Sequence, residues 1–115
     1  MRRGDVFLVD FEPIHGAEAN KTRPAVIVSN DAANRAAERA GRGDVTVAPI
    51  TPHVSRVFAF QVPLSAGEAG LRVASKIQTE QVRAVTVARF GPRLGSLSPA
   101  AITALDAALR LHLGL

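Results

Sequence analysis

Hydrophobic residues run along this chain in short stretches separated by single glycines and prolines, a pattern of strands and turns rather than of long helices. Val6 to Phe11 is apolar, opened by Gly4 and Asp5 and closed by Glu12 and Pro13, which predicts a first strand. Pro24 to Ser29 is almost wholly apolar. That is the signature of a strand covered on both faces, and the proline is tolerated because it stands first in the run. Asn30 is placed to cap a short helix through Ala32, Ala33, Ala36 and Ala37 to Ala40, with Gly41 ending it. Val45 to Ile50 predicts a third strand, and Val57 to Pro63 a fourth in which Phe58, Phe60 and Val62 share one face. Leu71 to Ile77, Val82 to Ala88 and Arg93 to Leu97 are further strand candidates. Ser98 followed by Pro99 reads as an N-cap and first-turn proline, after which Ile102, Leu105, Leu109 and Leu113 recur at helical spacing. Short strands at close spacing with one closing helix predict a mainly β fold with small helices. The best match is a strongly bent SH3-like barrel with a C-terminal amphipathic helix.

Composition narrows the class. At 115 residues, 47% hydrophobic and without linkers or repeats, residues 1–115 form one domain. A domain of this size buries only about two-thirds of its unfolded surface, so a partner subunit would add to a thin core. The absence of cysteine removes a disulfide framework and thiolate catalysis. No apolar run is long enough for a bilayer and the N-terminus lacks a signal-peptide core, so a cytoplasmic protein without membrane attachment is expected. The formal charge is +4. Twelve arginines stand against two lysines, and residues 81–115 hold four basic side chains against one acidic. The arginine fork suits phosphate oxygens, which points to nucleic acid. Twenty alanines beside the arginines also fit a coding bias, so charge alone does not decide.

The chain carries no phosphate-binding loop, dinucleotide fingerprint, nucleophile elbow or paired histidines at ligand spacing. His15, His53 and His112 are dispersed, so neither a metal nor another cofactor is expected. His112 suits the favourable end of a helix dipole, while His15 and His53 fall in loops and stay open as substrate contacts. The segment Glu12 to Arg23 gathers His15, Glu18, Asn20, Lys21, Thr22 and Arg23 between two strands, where a rigid scaffold usually mounts function. Arg23 precedes Pro24, so its backbone is held extended and the exit direction of its guanidinium is set in advance. Thr51 ends the third strand between Ile50 and Pro52. There it presents a hydroxyl for chemistry or satisfies a turn amide. The phenylalanines are expected mostly in the core, leaving hydrogen bonds rather than stacking to read any nucleic acid.

These residues also carry a resemblance. Arg3-Gly-Asp-Val, Gly16-Ala-Glu18, Arg23-Pro-Ala-Val-Ile-Val-Ser-Asn30, Val47-Ala-Pro-Ile-Thr51, Phe60-Gln-Val, Lys76-Ile-Gln-Thr-Glu-Gln-Val-Arg83 and Arg93-Leu-Gly-Ser-Leu follow one another in an order that resembles the MazF/PemK toxin family across nearly the whole chain. The resemblance implies a homodimeric SH3-like barrel, the toxin of a type II toxin-antitoxin system. Its activity would be a metal-independent, sequence-specific endoribonuclease acting on single-stranded RNA, chiefly messenger RNA. A ribose 2′-oxygen attacks the adjacent phosphorus and leaves a 2′,3′-cyclic phosphate and a 5′-hydroxyl. The resemblance assigns this work to Arg23 and Thr51. Arginine stays protonated, so Arg23 stabilises charge and donates a proton rather than acting as a base. Glu18 either takes the 2′-proton or orients Arg23, and orientation ranks first. His15, Asn20, Lys21, Thr22 and Gln81 are the candidate RNA contacts, Thr22 standing where some relatives have histidine. An acidic, MazE-like antitoxin is the implied protein partner.

Two other readings compete. A gyrase-binding toxin of the same fold acts without catalysis, but relies on a tryptophan near the C-terminus, which this chain lacks. An RNA-binding barrel without activity is the third.

Overall fold

The computed structural model describes residues 1–11 and 22–115. The chain runs β1 (Asp5–Asp10), β2 (Thr22–Ile27), α1 (Asp31–Ala40), β3 (Asp44–Thr51), β4 (Gln61–Leu64), β5 (Ser75–Gln78), β6 (Arg83–Thr86), β7 (Phe90–Ser96) and α2 (Pro99–Leu113). All strand pairs are antiparallel, in the order β4-β5-β3-β2-β1-β7, with β6 also on β3. Among the described residues the sheet is not closed and ends at β4 and β7. β3 organises it: Asp44 to Val47 pair with β6, Val47 to Pro49 with β2, and Ile50 and Thr51 with β5.

Side chains alternate across β2 and β3, and that alternation makes two cores. On one face Val26, Ala48 and Ile50 join Val6, Ile77 and the buried stripe of α2, including Leu105 and Leu109. On the other, Ala25, Ile27, Val45 and Val47 join Val9, Phe11 and Val85. Both helices begin and end on local chemistry. Asn30 and Ser98 accept the N–H groups of Ala33 and Ala101, and Gly41 and Gly114 close the helices with positive φ. Asn34 fastens α1 to the sheet through the Ser29 carbonyl at 2.9 Å.

Some expectations shift. The fourth strand begins only at Gln61, since Val57 and Phe58 are exposed and the Phe58 N–H bonds to the Gln61 side chain instead of a neighbouring strand. Phe58 is therefore no core ring. Alternation in a sequence cannot tell a paired strand from an extended segment with no partner within reach. Likewise the strand expected at Leu71 to Ile77 forms only from Ser75, while the last strand is longer than expected and covers β1. In α2, Leu113 leaves the buried stripe and is exposed. Among the described residues, no helix is long and apolar enough to cross a membrane.

Candidate active site

Three neighbouring strands build the site. The β2–β3 ladder pairs Ala25 with Pro49 and Val26 with Ala48. The pairing ends there, two residues short of Arg23 and Thr51, which odd-numbered alternation places on the same sheet face as Ala25 and Val47. Side chains span the remaining distance. Arg23 Nη2 donates to the Ile50 carbonyl at 3.4 Å, one residue from Thr51, and to Gln78 Oε1 of β5 at 2.6 Å. Arg23 is half-buried, and the loss of water around its guanidinium lowers its pKa from the usual arginine value. A cation so placed holds its proton less firmly than in water and presents its charge through a poorer dielectric.

Thr51 is buried, and its Oγ1 accepts the His53 N–H at 3.2 Å. The hydroxyl thus satisfies a turn amide. The same bond fixes where the oxygen lies and leaves the O–H to donate. Across the next ladder, Thr51 pairs with Lys76, whose buried ammonium donates to the Arg56 carbonyl at 2.6 Å. The Phe11 ring floors the other side, with Arg23 at 6.0 Å and Arg83 at 5.3 Å from its centre. The arrangement holds two guanidiniums, a fixed hydroxyl and a carboxamide around one end of the β2–β3 pair. Such a group suits an anion that gains charge during reaction.

The expected residues divide. Arg23 reaches the carbonyl of Ile50, the residue before Thr51. Gln81 is exposed on the tight turn Thr79–Gln81 that follows Gln78. Thr22 alternates to the opposite face and, with Leu8, Asp10, Thr86, Arg89 and Phe90, lines a separate groove of about 590 Å³. His53 contributes its backbone amide, and His112 sits in the last turn of α2. His15, Glu18, Asn20 and Lys21 lie outside the described residues. Gln78, Lys76, Arg83 and Phe11 escaped the sequence reading, although the first three fall within the segment Lys76 to Arg83 that carried the resemblance. Their roles depend on β5 and β6 lying against β3, which residue spacing does not reveal.

A bent antiparallel sheet with a C-terminal helix, carrying an arginine and a threonine on adjacent strands, defines a small cationic site suited to phosphodiester chemistry. Residues 2–113 match the family described as the PemK-like, MazF-like toxin of type II toxin-antitoxin systems, and the chain belongs to that family. It is 50% identical to Endoribonuclease MazF9 of Mycobacterium tuberculosis over 115 residues, 100% of this chain and 98% of that protein. An endoribonuclease from a mycobacterial species, solved in complex with its cognate antitoxin, superposes with a TM-score of 0.77 at 25% identity, covering 100% of this chain and 96% of that one. A MazE-MazF structure from Deinococcus radiodurans, 22% identical, shows the same fold with a TM-score of 0.80 over 100% of this chain and 96% of its match.

Proposed function

We propose that this chain is the toxin of a toxin-antitoxin pair and a metal-independent endoribonuclease that cuts single-stranded RNA in the cytoplasm, with Arg23 and Thr51 at the reacting phosphate. The observation that carries the reading is the bond from the Arg23 guanidinium to the Ile50 carbonyl, which holds the cation one residue from the Thr51 hydroxyl. The substrate supplies the nucleophile. Its 2′-oxygen gives its proton to water and forms a bond to phosphorus, while the bond from phosphorus to the 5′-oxygen breaks and that oxygen takes a proton from Arg23, which water then reprotonates. The products are a 2′,3′-cyclic phosphate and a 5′-hydroxyl. Arg23 and Thr51 donate to the phosphoryl oxygens as charge builds there, and the weakened hold of Arg23 on its proton favours transfer to the departing oxygen. Gln78 keeps the guanidinium aimed. Glu18 is assigned to orient Arg23, with His15, Asn20, Lys21 and Gln81 as contacts to bases. The positive chain suits an acidic antitoxin segment that covers the same site.

The test is cleavage of a long single-stranded RNA in EDTA, with the new 5′ ends mapped. Wild type cuts at one short motif and leaves 5′-hydroxyls. Arg23→Ala and Thr51→Ala each lose on the order of 10²- to 10³-fold in rate while staying folded. Cleavage at the wild-type rate by either variant rejects the site.

A further inference from the structure

Arg23 and Thr51 stand on β2 and β3, but side chains that hold their surroundings come from β5. Gln78 takes the Arg23 guanidinium at 2.6 Å. Lys76 lies two residues earlier on the same strand, which puts it on the same face as Gln78. In the ladder it is the direct partner of Thr51, and opposed residues of an antiparallel pair carry their side chains on one face. A lysine is unexpected there. It stands between Thr51 of β3 and Pro63 of β4 with 8% of its surface exposed, and lysine is seldom buried unless its charge is met. An apolar side chain would fill the position without taking an ammonium out of water.

What the lysine does in that place is grip the chain on its way out of the site. Its ammonium donates to the Arg56 carbonyl at 2.6 Å, so Thr51 is tied to Lys76 by strand pairing and Arg56 is tied to the same residue by its side chain. The stretch from Thr51 to Arg56 is thereby closed into a ring. Inside it lies the bond from the His53 N–H to Thr51 Oγ1, which at 3.2 Å is long and holds the hydroxyl weakly by itself. Fixing Arg56 restricts where the His53 amide can move, and with it the direction of the threonine O–H. We propose that Lys76 is a positioning residue for the Thr51 hydroxyl, keeping the His53 amide on Oγ1 so that the O–H stays free to donate to the reacting phosphate, an inference that rests on the nuclease function above. β5 then orients both reacting groups, the guanidinium through Gln78 and the hydroxyl through Lys76.

The experiment is a double-variant cycle on the full chain, with kcat and KM measured on an RNA oligonucleotide spanning the mapped cut site. Lys76→Met keeps the apolar stem and removes the donor, so kcat falls about 5- to 10-fold, the net worth of one hydrogen bond, with KM near wild type. Lys76→Arg keeps a charged donor and recovers most of the lost rate. In a Thr51→Ala background Lys76→Met lowers the rate no further, because a residue that acts through the hydroxyl has nothing to position once the hydroxyl is gone. An equal loss in both backgrounds marks a general loosening of the fold and overturns the inference. So does an unchanged kcat in Lys76→Met, or a rise in KM alone. If Lys76→Met does not fold, Lys76→Gln, too short to reach Arg56, carries the same cycle. All these outcomes require a wild type that cuts; a wild type that cuts nothing overturns the nuclease reading and this inference with it.

Discussion

The strand pair carrying Arg23 and Thr51 and the segment leaving Thr51 are neighbours in sequence, yet different forces fix them. β2 lies between β1 and β3 and borders both cores, so its residues are held by ladders on two sides and by apolar packing above and below. Residues 52–59 have no strand partner among the described residues and are exposed, and side chains reaching from β4 and β5 hold Phe58 and Arg56. Opening the first region means breaking the sheet, whereas opening the second means breaking a few side-chain bonds. The comparison separates two jobs. Arg23 and Thr51, which the proposed chemistry needs held still, lie on paired strands. The segment after Thr51 adjusts at lower cost.

The largest effect expected is the loss of two to three orders of magnitude on truncating Arg23 or Thr51, the ladder-held groups. Next comes Gln78→Leu, which removes a hydrogen bond to a charged group and lets the guanidinium turn away. Such bonds contribute about 1.5–3 kcal/mol, so kcat falls about 10- to 100-fold with KM little changed. A proportional rise in KM with unchanged kcat shows instead that Gln78 touches RNA. Smaller still is Lys76→Met. Hydrogen exchange of residues 52–59 speeds up while amides of β2 and β3 keep their protection; faster exchange in both regions breaks the distinction drawn here.

The smallest effect concerns stability. Burial lowers the pKa of Arg23 in the folded chain, so keeping the group charged costs folding free energy. That cost is fully present below the lowered pKa and is relieved as pH rises through it toward the unfolded value. At neutral pH, Arg23→Met therefore melts at or slightly above wild type although its cleavage rate falls as in Arg23→Ala. A clearly lower melting temperature, by calorimetry, shows that the bonds to Ile50 and Gln78 outweigh the desolvation.

The fourth strand shows where pattern reading stops. Val57 to Pro63 alternates as a strand should, but only Gln61 to Leu64 finds β5 beside it, and the first half stays in water. Phe58 follows the same logic: an apolar ring is expected inside, yet its backbone leaves it no place there. Arg23 and Thr51 drew notice through local features, a residue before proline and a hydroxyl at a strand end. Gln78 had no such feature, because its importance comes from a bond to a residue 55 positions away.

What the amino-acid sequence determined by itself was everything decided within a few residues. The caps at Asn30 and Ser98, the stops at Gly41 and Gly114, the tolerated Pro24 and the two-faced alternation of β2 and β3 all rest on local sterics and short-range hydrogen bonds. What only the tertiary structure decided was which strand edges met, and hence that Arg23, Thr51 and Gln78 share one end of the sheet while Thr22 turns to the other face. The reason is physical. Strand pairing joins residues far apart in the chain, and a register shifted by one residue would send each of these side chains to the wrong face.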